Sequence, residues 1–307
     1  MTLVDHLQAA FNVTGPVLLT LLLAIALKKI RLLDTGFVAT GNRLVFNLTL
    51  PALLFLSVAT GTHGSLNLPL ILYAAGATLA SVMVVWWLSP LAVETGKRGV
   101  FTQCAFRGNM AIIGLALCVN AFGESVIAMA AVYLAFITIL YNLLAVVLLS
   151  SSRKGIVINI ARNPLIIAIV AGGIWSVLKF PMPQILEASL GYLARLTLPL
   201  ALLCIGASLQ WQSFRSNHRE AVIATLLKLI ILPGLVVGVA LLAGFRGQPL
   251  GILFLMMASP TAAAAYVMSQ QMTSHGQLAA EIITLSTALS PFTVAAGLIV
   301  LNMNGWL

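Results

Sequence analysis

The chain has 307 residues, 61% hydrophobic and 7% charged, with sixteen Lys and Arg against seven Asp and Glu for a net charge of +9. A water-exposed domain carries roughly 25% charged residues, so a mean hydropathy of +1.07 excludes a soluble globular fold and assigns the chain to a lipid bilayer. The apolar runs are too long and unbroken for alternating barrel strands. The crossing elements are therefore helices, which satisfy their own backbone groups in lipid.

The first residues, MTLVDHLQAAFN, lack the basic start of a signal peptide, and the run that follows continues as a span. At about 20 apolar residues per crossing, ten spans are expected, at 12–28, 40–60, 67–90, 99–120, 124–150, 163–179, 188–210, 220–243, 248–270 and 279–303. Gly61, Pro90, Gly123, Pro181, Pro183 and Gly247 fall between them as helix breakers. The narrowest division is NAFGE, between the fourth and fifth. Cys104, Cys118 and Cys204 lie in apolar runs without paired spacing, and read as small buried hydrophobes, not disulfide partners or metal ligands. No cofactor is expected.

Charge sets the expected orientation. The odd-numbered connections are read as holding Lys28, Lys29, Arg31, Arg43, Lys97, Arg98, Arg153, Lys154, Arg162, Arg215 and Arg219, whereas the even-numbered ones hold Lys179 and Arg246. The positive-inside rule then puts the odd connections in the cytoplasm and both termini on the outer, periplasmic side of the cytoplasmic (inner) membrane. The bias accounts for most of the net charge, so a nucleic-acid partner is not needed.

The second span contains LTLPALLFLSVA at 48–59 and the seventh LTLPLALLCIGA at 196–207. Pro51 and Pro199 stand 148 residues apart, the same offset that separates Pro16 from Pro164. Equivalent points five spans apart enter the membrane from opposite sides. The expected fold is therefore all-α, with two inverted five-helix repeats at 1–150 and 151–307, the plan from which secondary transporters are built.

Polar residues deep in spans mark the candidate site, because an ionisable group at bilayer depth faces a cavity or a partner. The fourth span, VFTQCAFRGNMAIIGLALC, carries Arg107, Gly108 and Asn109; its repeat partner, LFLMMASPTAAAAYVMSQQM, carries Ser259, Pro260 and Thr261. Gly108 and Pro260 are poor helix formers, and paired interruptions at corresponding positions point to a transporter's binding site. Half-helix N-termini at such breaks attract anions, and Arg107 offers a bidentate fork to a carboxylate. The competing reading puts Arg107 at the cytoplasmic edge, snorkelling. Asn47, Ser269 and Gln270 could face the same cavity or bond between helices. Lys228 reads as an ion-pair partner of Glu281 or as a snorkelling residue, and Arg195 as the anchor of a helix end. His63 and His275 fall in short connections.

Taken together, NRLVFNLTLPALLF at 42–55, ARNPLIIAIVAGGIW at 161–175, LTLPLALLCIGASL and ASPTAAAAYVMSQQM resemble the auxin efflux carrier family, which includes plant PIN-FORMED proteins and bacterial carriers related to malonate transporters. The resemblance spans essentially the whole chain. It implies ten helices in two inverted repeats, a scaffold and a transport domain, crossing broken helices 4 and 9, and elevator-like carriage of an organic anion. It also implies a homodimer. Where the family often has a proline in the fourth helix, this chain has Gly108-Asn109.

The expected function is a carrier of small organic anions, with Asn47, Arg107, Gly108, Asn109, Ser259, Pro260, Thr261 and Gln270 at the substrate. The alternative is a sodium-coupled symporter of the bile-acid transporter type, which would require acidic oxygens beside the crossover. An intramembrane enzyme would need a nucleophile-base or metal-ligand constellation, and the sequence has no Gly-x-Ser-x-Gly, His-Glu cluster or intramembrane Asp pair.

Overall fold

The computed structural model describes residues 3–60, 66–149, 164–209 and 217–307. Arg153, Lys154, Arg162, Arg215, His63 and the expected division at 150/151 lie outside the described residues. Among those described, the protein is helical throughout and has no strand; a single antiparallel bridge joins Gly108 to Thr261.

Seven helices are long and apolar enough to cross a membrane: α1 (Leu3–Lys29), α2 (Thr35–Thr60), α3 (Leu68–Leu88), α5 (Glu124–Leu149), α7 (Gln184–Ser208), α8 (His218–Leu242) and α10 (Gly276–Met303). Shorter pieces complete the set: α4a (Arg98–Phe106), α4b (Met110–Phe122), α6 (Pro164–Leu178), α9a (Gly247–Met257) and α9b (Ala263–Met272). The fourth and ninth apolar runs are thus each two helices end to end.

Several helix ends lie outside the apolar runs. Apolar runs stop at polar residues, but backbone hydrogen bonding continues to the cap. Asp34 accepts the Phe37 amide at 2.6 Å and starts α2 five residues before the apolar run. Asn67 caps α3 by accepting from Leu70 N at 3.0 Å. α7 begins at Gln184, so Arg195 stands eleven residues inside the helix, exposed on its surface, and does not anchor a helix end. The narrow NAFGE division is a true break: Gly123, at φ +78°, ends α4b in a conformation glycine adopts without strain.

Two of the long helices carry a widened turn just before a proline. Pro51 and Pro233 each follow a widened π turn, at Val45–Thr49 and Leu227–Ile231. A proline offers no N–H and its ring clashes with the preceding turn, and a π bulge is a frequent local solution at functional sites. Pro199, the partner of Pro51 in the repeated LTLP, sits within α7 without such a turn.

The helices pack in two groups. α2 lies along α6 and α7, and α1 along α7. Small residues allow these approaches: a Cβ on Gly172 would stand 2.8 Å from the Phe55 carbonyl, and one on Gly206 2.6 Å from Ala24 Cβ. Helix association in lipid relies on such close packing because burial from water no longer drives it. α3, α4a, α5, α8, α9b and α10 form the second group, with Phe101, Ala224, Leu278 and Ile282 in one buried cluster. α1 against α10 and α2 against α5 join the two.

Candidate functional site

The interruptions of the fourth and ninth runs meet. Pro260 cannot donate a backbone bond, and α9a stops at Met257. α4a stops at Phe106, where Arg107 turns extended (φ −76°, ψ 100°). The two unwound stretches then bond reciprocally: Asn109 N donates to Pro260 O at 2.7 Å, and Ala262 N donates to Arg107 O at 3.0 Å. Thr261 Oγ1 donates to Cys104 O at 2.8 Å, while its amide donates to Ser286 Oγ of α10 at 3.1 Å. Backbone groups freed by two broken helices thereby satisfy one another, which is the condition for irregular backbone inside a membrane protein.

Gly108 is what lets the strands approach. A Cβ there would lie 2.6 Å from Ser259 Oγ, 3.1 Å from Lys228 Nζ and 3.2 Å from Met256 O. Ser259 Oγ itself donates to Met256 O at 2.7 Å. Lys228, 1% exposed and carried by the π turn of α8, donates to Met257 O at 2.6 Å. Its amino group thus sits at the carbonyl end of α9a, the end at which a helix favours donors and positive charge. Lys228 therefore neither snorkels nor reaches Glu281, which instead accepts from Asn217 and Gln277.

Arg107 is 6% exposed and does not snorkel to the helix edge. Its Nη2 donates to Asn142 Oδ1 at 2.8 Å, and its Nη1 reaches Tyr141 O and Met268 Sδ, both at 3.4 Å. All three partners are neutral, so the guanidinium is oriented without being neutralised.

A cavity of about 690 Å³ lies between the crossing and the α1/α2/α6/α7 group. Asn42, Arg43 and Asn47 line it from α2, Arg107 to Ile112 from the crossing and α4b, and Ala262 to Ala264 from the start of α9b. Thr138, Tyr141 and Asn142 line it from α5, and Pro164 and Leu165 from the start of α6. Its lining thus draws on the first half of α2, the second half of α5 and the start of α6. Among the described residues, no Asp or Glu lines it, and its charged lining is Arg43 and Arg107. Two half-helix N-termini, those of α4b and α9b, face this space; first-turn amides lack intrahelical partners and favour anions.

Of the residues expected at the site, Asn47, Arg107, Gly108 and Asn109 line the cavity. Ser259 and Thr261 are buried behind the crossing and hold it together. Pro260 supplies the carbonyl that receives Asn109. Gln270 is not brought to the cavity: it is exposed at the far end of α9b, beside Gly276. Gln103 donates to Met268 Sδ at 3.6 Å and packs behind Arg107. Asn142 and Arg43 complete the lining without having been expected there. Asn142 carried a readable signal, a lone carboxamide within the apolar ITILYNLLAVVLL.

A multi-spanning helical chain with a polar cavity against two crossing, unwound helices is a membrane transport protein. A family model described as membrane transport protein matches residues 148–296. An "Uncharacterized transporter" of Methanothermobacter thermautotrophicus is 27% identical over 89% of this chain and 92% of its own. A Rhizobium meliloti protein named "Putative malonate transporter" is 27% identical over 90% of this chain and 91% of its own. "Auxin efflux carrier component 6" of Arabidopsis thaliana is 25% identical over 44% of this chain and 25% of its own. Over about nine-tenths of its length the chain is thus similar to proteins named as transporters, and its second half matches a family of membrane transport proteins.

Proposed function

We propose that this protein is a secondary active or facilitative carrier of small organic anions, carboxylates first, that works by elevator-type alternating access. One observation carries the reading: a cavity at the crossing whose charged lining, among the described residues, is two arginines and no carboxylate, with two half-helix N-termini beside them. A carboxylate seated there takes the Arg107 fork and amides of the first turns of α4b and α9b, while Asn47 and Asn109 supply further hydrogen bonds. The relative named for malonate supports a short carboxylate as the cargo class.

In this reading α1, α2, α6 and α7 form the scaffold, and the crossing moves with α3, α5, α8 and α10 as the transport body. The two bodies draw on both inverted five-helix halves, 1–150 and 151–307, and ten helices cross the membrane. Small-residue packing within the scaffold and the reciprocal bonds of the crossing suit two rigid units that slide. With the basic connections in the cytoplasm and both termini outside, the cavity faces inward. A sodium-coupled mechanism gains no support from a cavity without acidic oxygens.

Purified protein in liposomes, assayed with labelled malonate, succinate, propionate and butyrate, tests the reading. Uptake of one or more of them, abolished in Arg107→Ala and partly kept in Arg107→Lys, is expected. If Arg107→Ala moves the same anion as fast as the unmodified protein, the anion role of Arg107 is wrong.

A further inference from the structure

We infer that Arg43 is a second anion anchor, which makes the site select dianions over monoanions. The inference rests on the carboxylate reading above and adds to it the charge class of the cargo. Arg43 stands eight residues inside α2, too deep for a loop charge, and α2 turns Asn42, Arg43, Phe46 and Asn47 to the cavity. An arginine that lines such a cavity is solvated there or meets a charged ligand, whereas lipid would leave its charge unsolvated.

The two cavity arginines differ in how they are held. The Arg107 guanidinium is committed to Asn142, Tyr141 and Met268. Arg43 is exposed, and its guanidinium has no hydrogen-bond or ion-pair partner among the described residues. Its backbone carbonyl, by contrast, is fixed by Asn47 Nδ2 at 2.8 Å within the widened turn. A rigid base with an unclaimed fork is suited to meet a second carboxylate once Arg107 has taken the first. Arg107 belongs to the crossing and Arg43 to α2, so a dianion held by both bridges the two helix groups and a monoanion does not.

Matched pairs isolate the second carboxylate: succinate against butyrate, and malonate against propionate, each pair alike in carbon number. In proteoliposomes the ratio of dicarboxylate to monocarboxylate kcat/KM is expected to fall about tenfold in Arg43→Gln, the scale of one lost hydrogen-bonded charge contact. Arg43→Lys, which keeps the charge, retains most of the ratio, and Arg107→Gln lowers both members of a pair together. Size-exclusion and thermal profiles of the exposed Arg43 variants should match the unmodified protein. A ratio unchanged in an active Arg43→Gln carrier overturns this inference and leaves the carboxylate reading intact. An equal fall for both members does the same, because it marks general attraction or a lipid-phosphate anchor. Unmodified protein that moves none of the four anions overturns the carboxylate reading, and this inference with it.

Discussion

Replacing Gly108 by alanine tests whether the crossing is the close-packed joint described. The new methyl would stand 2.6 Å from Ser259 Oγ and 3.2 Å from Met256 O. Neither neighbour is free to give way, because Ser259 Oγ is bonded to Met256 O at 2.7 Å at the end of α9a. The strands must separate, which stretches the Asn109–Pro260 and Ala262–Arg107 backbone bonds. Overpacking of a tight core costs about 1–3 kcal/mol, and weakening two backbone bonds adds roughly 1 kcal/mol each. A total of about 3–5 kcal/mol lowers the thermal midpoint of a chain of this size by on the order of 5–10 °C, readable in detergent by size-exclusion survival. Ser259→Ala removes the nearest clashing atom, so the double variant should recover about 1 kcal/mol or more relative to additivity. Gly108→Ala as stable as the unmodified protein, or strict additivity with Ser259→Ala, would refute the packing described.

Three further outcomes follow from the same contacts. Thr261→Val keeps the shape but removes the hydroxyl bond to Cys104 O, and should cost about 1–2 kcal/mol in thermal stability; no loss would mean the bond is not holding the crossing. Asn142→Ala frees the Arg107 guanidinium from its 2.8 Å partner, and should raise the anion KM about tenfold while leaving the melting profile near that of the unmodified protein. Gln270→Ala changes an exposed residue away from the cavity, so transport should stay within about twofold, in the range of ordinary surface substitutions.

The sequence reveals the element plan because lipid enforces it. Among the described residues the expected spans coincide with helix except at Gly108 and Pro260, interruptions visible as poor helix formers in otherwise unbroken apolar stretches. What hydropathy cannot see is where a helix begins. Arg43 counts as a loop charge until Asp34 is found capping α2, and Arg195 counts as a helix end until α7 is found starting at Gln184. Pairings between distant elements are equally hidden. Nothing in the sequence near Lys228 names Met257 O as its partner, and nothing near Arg107 names Asn142, because both contacts depend on the rotation of one helix against another. Gln270 illustrates the reverse error: a polar residue in an apolar run two turns past the break is exposed at the end of α9b, not in the cavity.

The most direct measurement is a cryo-EM map of the protein with malonate or succinate at saturating concentration, compared with a map of Arg107→Gln under the same conditions. Ligand density between the Arg107 guanidinium and the first turns of α4b and α9b, lost in the variant, is the predicted result. Density that seats the anion elsewhere, or that persists unchanged in Arg107→Gln, would contradict the account.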